Sequence, residues 1–125
     1  MRRSEFWLAA LTAAAAMLCA GAASAQTGDS AKGADVYDDR CSGCHVIGAA
    51  GQGPNLAGVV GRKAGAVASF PYTAALKGAG LTWTPANLDR WLAGPQKVVP
   101  GTAMVAVVPD AAERRELIAY LAGLK

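Results

Sequence analysis

Cys41-Ser42-Gly43-Cys44-His45 is the stretch that decides the reading of this 125-residue chain. Two thiols separated by two residues, with an imidazole directly behind them, form the C-x-x-C-H pattern of covalent haem attachment. The thiols add across the two vinyl groups of one haem, and the adjacent histidine reaches the iron from the same side. Three other uses of these residues fit less well. A disulfide across so short a spacing is disfavoured on most backbones, and a thioredoxin-like redox pair belongs after a strand in a βαβ unit. A zinc site needs a fourth ligand, and the only other cysteine, Cys19, lies far upstream.

With the porphyrin nitrogens and His45 on the iron, one axial position is left to fill. His45 is the sole histidine, so a soft thioether is the best remaining donor, and Met104 is the only methionine besides Met1 and Met17. Its setting, Pro100-Gly101-Thr102-Ala103-Met104, holds turn residues that can aim a side chain inward. A lone methionine is more often core filler; beside C-x-x-C-H, ligation becomes the better reading. His45 and Met104 together close the iron to substrate and raise its potential. These residues therefore predict a carrier of single electrons rather than an enzyme.

The first residues predict export. Arg2 and Arg3 give a positive start, Phe6 to Leu18 is almost wholly apolar, and Ala23-Ser24-Ala25 is a small-residue cleavage site. Residues 1–25 are expected to be a cleaved signal peptide, leaving one domain over residues 26–125 that begins near Gln26. A retained membrane anchor is the alternative, since Phe6 to Ala25 spans the roughly 20 residues that a bilayer crossing needs. Cys19 follows Leu18, a bulkier residue than a lipidated cysteine usually has before it, and is assigned to the discarded part. Cleavage removes Arg2, Arg3 and Glu5, so 12 basic and 9 acidic side chains become 10 and 8, and the net charge falls from +3 to +2. No Lys/Arg-rich run follows, which leaves nucleic-acid binding without support. Haem is attached in this way outside the cytoplasm, so leader and motif agree on the periplasm.

Around the motif the chain reads as helices and loops. Asp29 to Arg40 is helix-compatible, and Gly33, one turn before Tyr37, suggests close approach of another backbone. Residues 46–71 hold six glycines and two prolines without a sustained period, a long loop suited to wrapping a large group. Thr73 to Lys77 reads as a short helix stopping at Gly78, and Thr84-Pro85 to Gly94-Pro95 as a longer one. Asp110 with Glu113 opens a last helix, whose Leu117, Tyr120, Leu121 and Leu124 form one apolar stripe. Strands with period two are missing. The expected fold is all-α, with three main helices, a short helix and long loops around one haem.

From about Gly33 to the C-terminus these residues resemble the class I cytochromes c of the mitochondrial and soluble bacterial type. The likeness rests on Gly33 and Tyr37, the attachment motif, Gly53-Pro54-Asn55-Leu56, Gly61-Arg62-Lys63, Phe70, Tyr72-Thr73, Trp83, Pro95, Pro100-Gly101-Thr102, Met104 and Leu117-Ile118-Ala119-Tyr120. It implies that the Pro54 carbonyl accepts a hydrogen bond from the His45 ring nitrogen turned away from the iron. It also implies that Arg62, Tyr72, Trp83 and Thr102 hold the haem propionates and the ligand loop, and that Gly33 and Tyr37 cross the last helix near Leu117 and Tyr120. The chain departs from that pattern where relatives carry docking lysines, here Gln96 and Ala103, with Arg40 and Lys97 remaining. Ala106 replaces a phenylalanine near the haem edge, Leu76 a polar residue and Trp91 a tyrosine near the Met ligand.

The resemblance implies a diffusible carrier that meets redox proteins briefly: a membrane cytochrome complex, a terminal oxidase or a periplasmic dehydrogenase, in a respiratory or photosynthetic chain. A dedicated partner of one dehydrogenase is the reading the lost lysines favour, and an open-iron enzyme or gas sensor is the third. A monomer is expected, because one small core accounts for the apolar residues.

Overall fold

The computed structural model describes residues 28–125, and the leader assigned to residues 1–25 lies outside the described residues. Local chemistry sets each helix start. Asp29 caps α1 (Ser30–Arg40), its Oδ1 accepting from the Ala31 and Lys32 N–H groups at 2.9 and 3.3 Å. Thr73 caps α2 (Ala74–Lys77) and Thr84 caps α3 (Pro85–Ala93), each hydroxyl accepting from a first-turn N–H. Gly94 ends α3, yet Pro95, expected only as part of a stop, begins a further turn, α4 (Pro95–Val98). Proline is favoured there because its missing N–H has no partner in a first turn anyway. Asp110 caps α5 (Ala111–Ala122) through the Glu113 N–H at 2.9 Å.

Residues 45–73 contain no helix, and one isolated antiparallel bridge, Lys63 with Thr82, is the only β pairing among the described residues. The long loop is fixed to the rest by backbone bonds: Trp83 N–H to Arg62 O at 2.8 Å, Gly61 N–H to Trp83 O at 2.8 Å and Gly58 N–H to Leu124 O at 2.9 Å. The described residues are all-α, short helices joined by long loops, as expected.

The first and last helices cross at Gly33. A Cβ at that position would collide with the Glu116 carbonyl oxygen and come within 2.8 Å of the Tyr120 Cβ, so only glycine lets the two backbones touch. Gly28 makes the same kind of approach to Arg115, a contact without a sequence signal. Tyr37 and Tyr120 pack beside the crossing with ring centroids 5.6 Å apart, and Leu117 is fully buried beneath it. Arg40 and Glu113 add an ion pair at 2.9 Å that is off hydrogen-bond alignment and partly exposed, so it contributes little.

Replacing Gly33 by Ala should force the helices apart and cost about 2–3 kcal/mol of stability, as overpacking does. The guanidinium unfolding midpoint of the haem-loaded protein checks this; an unchanged midpoint would show that the crossing relaxes freely.

Candidate haem site

All nine residues singled out from sequence, Cys41, Cys44, His45, Pro54, Arg62, Tyr72, Trp83, Thr102 and Met104, line one cavity of about 560 Å³. Its walls come from the loop 45–73, from α3 and α5, and from the segment 102–108 that carries Met104. Leu56, Val59, Leu76, Leu88, Leu92, Leu117 and Leu121 make most of the lining apolar. An open depression of about 450 Å³, lined by Ala75, Arg90 and Lys97 among others, holds none of the nine.

The cysteines sit where α1 ends, a turn being closed by the His45 N–H donating to Cys41 O at 2.8 Å. Both thiols are free rather than paired. Burial pushes the Cys41 thiol up to about 11, with Cys44 adding to the rise and Arg40 opposing it, so it rests as a neutral thiol against the apolar wall.

His45 is braced on every side. Its Nδ1 lies 2.9 Å from the Pro54 carbonyl oxygen, which fixes that nitrogen as the protonated one and leaves Nε2 as the free donor atom. The Tyr37 hydroxyl donates to the His45 carbonyl; burial raises the Tyr37 phenol, which keeps its proton. Asn55 Oδ1 accepts from Gly48 N–H at 2.8 Å and Ala57 N–H at 2.9 Å, tying together the two limbs of the loop around the ring. A Cβ on Gly53 would stand 2.6 Å from His45 Nδ1 and 2.8 Å from Nε2.

On the opposite segment, the Trp91 indole N–H donates to the Met104 sulfur at 3.2 Å. Thr102 is buried, but its hydroxyl makes no hydrogen bond among the described residues; its carbonyl is instead held by the side chain of Gln96. Sequence reading saw Gln96 only as a lost docking lysine. A hydrogen bond across a turn leaves no periodic or motif trace, so no signal there could have revealed it. Arg114 secures the far end of the segment, donating to Val108 O at 3.0 Å, to Pro109 O at 2.8 Å and to Asp89 Oδ1 at 2.7 Å.

Polar groups elsewhere in the lining are sparse. Arg62 spends its two terminal nitrogens on Asn55 O at 2.8 Å and Ala57 O at 3.1 Å, while its Nε is buried without a partner. Tyr72 accepts from the Val67 N–H at 3.2 Å. Trp83 packs edge-on against Trp91 with centroids 4.9 Å apart. A buried donor without an acceptor costs about 1–3 kcal/mol unless something meets it. Apolar walls, two free thiols, an oriented imidazole, a thioether and one orphaned cationic donor together fit a flat apolar macrocycle with carboxylate arms.

The family model for cytochrome c matches residues 30–125. Cytochrome c 2.1 of Caenorhabditis briggsae is 47% identical over 97 residues, covering 75% of this chain and 87% of that protein. Cytochrome c-type cyt cy of Rhodobacter capsulatus is 43% identical over 97 residues, covering 76% of this chain and 49% of that protein. Among solved structures, cytochrome cH from Methylobacterium extorquens superposes with a TM-score of 0.73 at 44% identity, covering 76% of this chain and 98% of that one.

Substituting Gly53 by Ala should drive the His45 ring off the Pro54 carbonyl and cost about 1–3 kcal/mol. Gly43→Ala, where a Cβ meets nothing within 4 Å, serves as the control and should stay within about 0.5 kcal/mol. Denaturant unfolding of both haem-loaded variants reads the difference; equal midpoints would mean that the glycine is not needed.

Proposed function

The chain belongs to the cytochrome c family, whose members are electron carriers with one covalently attached haem c, and from that premise we propose a periplasmic single-electron carrier with His45 and Met104 as axial ligands. When bound through Cys41 and Cys44, the group supplies a one-electron couple at its iron. The observation that carries the reading is the convergence on one apolar cavity of a histidine held by Pro54 and a methionine sulfur held by Trp91.

Each residue then has a defined task. Pro54 and Tyr37 fix the His45 ring and its main chain, so that Nε2 keeps one orientation in both oxidation states. The leucines of the lining exclude water and lower the local dielectric, which disfavours added positive charge and lifts the potential. Trp91 directs the positive end of its N–H dipole at the Met104 sulfur, acting in the same direction. Arg62 Nε, lacking a protein partner, is the donor best suited to a propionate.

Export by a leader over residues 1–25 is the proposed route to the periplasm; among the described residues no helix is long and apolar enough to cross a membrane. Ala103, Val105, Ala106 and Val107 around the Met104 segment are exposed and uncharged. Such a rim favours brief contact with a weakly charged redox protein, either a membrane complex or a periplasmic dehydrogenase, over a strongly acidic one.

The oxidised protein should show the weak long-wavelength absorption band of a sulfur–iron bond. Met104→Ala should abolish it and let the reduced protein take up carbon monoxide; retention of the band would rule out Met104 as ligand. Trp91→Phe keeps the ring and removes the N–H, so the reduction potential should fall by about 20–60 mV, the equivalent of one hydrogen bond. Voltammetry measures it, and a rise would reverse the assigned sign.

A further inference from the structure

The Met104 segment is short of its own backbone bonds. The Thr102 N–H donates to Val99 O at 3.1 Å, and the next backbone donor engaged with the main chain is Val108, to Leu92 O at 2.7 Å. Between them the N–H groups of Ala103, Met104, Val105, Ala106 and Val107 engage no main-chain acceptor among the described residues, so the backbone alone does little to hold the methionine in place. One side chain compensates. Gln96, on α4, donates from Nε2 to Thr102 O at 2.5 Å and reaches Met104 O at 3.4 Å, while its Oε1 accepts from the Gly101 N–H at 3.2 Å. Gly101 is itself at φ 88°, the left-handed turn that reverses the chain toward Met104.

We infer that Gln96 is the positioning residue for Met104, clipping both limbs of the Gly101 turn so that the thioether is presented to the cavity. The inference rests on the assignment of Met104 as axial ligand. Only a primary amide serves here: it donates to one carbonyl and accepts from one N–H at the same time. A lysine could donate but could not accept from Gly101. A glutamate could accept but would set its charge against two carbonyl oxygens.

Imidazole added to the oxidised, haem-loaded protein binds iron only after Met104 has left, so its affinity reports how firmly the segment is held. Gln96→Ala should raise that affinity about tenfold, the loss of two ordinary hydrogen bonds. Gln96→Glu at neutral pH should raise it at least as much. Lys97→Ala, in the same turn with no side-chain hydrogen bond, should leave both the affinity and the unfolding midpoint unchanged, while Gln96→Ala should lose no more stability than the tenfold equivalent, about 1.4 kcal/mol. A general loosening of the fold would instead lower the stability of Gln96→Ala by far more than the affinity change accounts for, and that result would overturn the clip. An unchanged imidazole affinity in Gln96→Ala, with the sulfur–iron band present in the unaltered protein, would overturn it equally. Absence of the band in the unaltered protein would remove the ligand assignment, and the clip with it.

Discussion

A cavity that the chain's own side chains do not fill is the constraint on which the rest depends. At about 24 cal/mol per Å³, a void of about 560 Å³ would cost on the order of 13 kcal/mol. That is an upper figure, because the mouth is open to solvent, yet it matches the entire stability of a typical domain. Leu117, Leu121, Leu88 and Trp91 therefore form a core only around a guest, and the covalent link at the end of α1 keeps that guest from leaving. The glycine-rich loop follows from the same constraint: it encloses a rigid disc instead of packing on itself.

The two faces of the cavity are held differently. On the His45 side Pro54 holds the ring, Tyr37 the main chain and Asn55 the two limbs of the loop, all beside the two attachment cysteines. On the Met104 side Trp91 meets the sulfur, Gln96 the turn and Arg114 the exit, with no attachment cysteine beside them. Under the proposed ligation by His45 and Met104, that difference makes the first ligand permanent and the attachment of the second dependent on its surroundings.

What could be read from the sequence follows the range of the interactions. The helix caps at Thr84 and Asp110 act over two or three residues and were legible in full, whereas Asp29 marked only the start of a helix-compatible stretch and its cap emerged from the structure. The attachment motif is equally local, and Met104 came by elimination. Gly33 signalled a close approach, although only the fold identifies Glu116 as what it approaches. Pro54 and Arg62 were reached through family resemblance, because a carbonyl acceptor and a clamp on two carbonyls have no composition of their own. Gln96, the Gly28 contact and the start of α4 at Pro95 were missed, since each depends on where a turn or a second helix lies in space.

The crossing at Gly33 also determines where the chain can change length. It joins α1 to α5 and so closes nearly the whole domain into one large ring, whose closure entropy grows only with the logarithm of its size. Doubling such a ring costs about 0.6 kcal/mol, so insertions or deletions in the loop between residues 46 and 71 are nearly neutral in chain entropy. A single methyl group at the crossing has no comparable freedom. Variation during descent should therefore accumulate as length in the wrap and be refused as volume at the clasp.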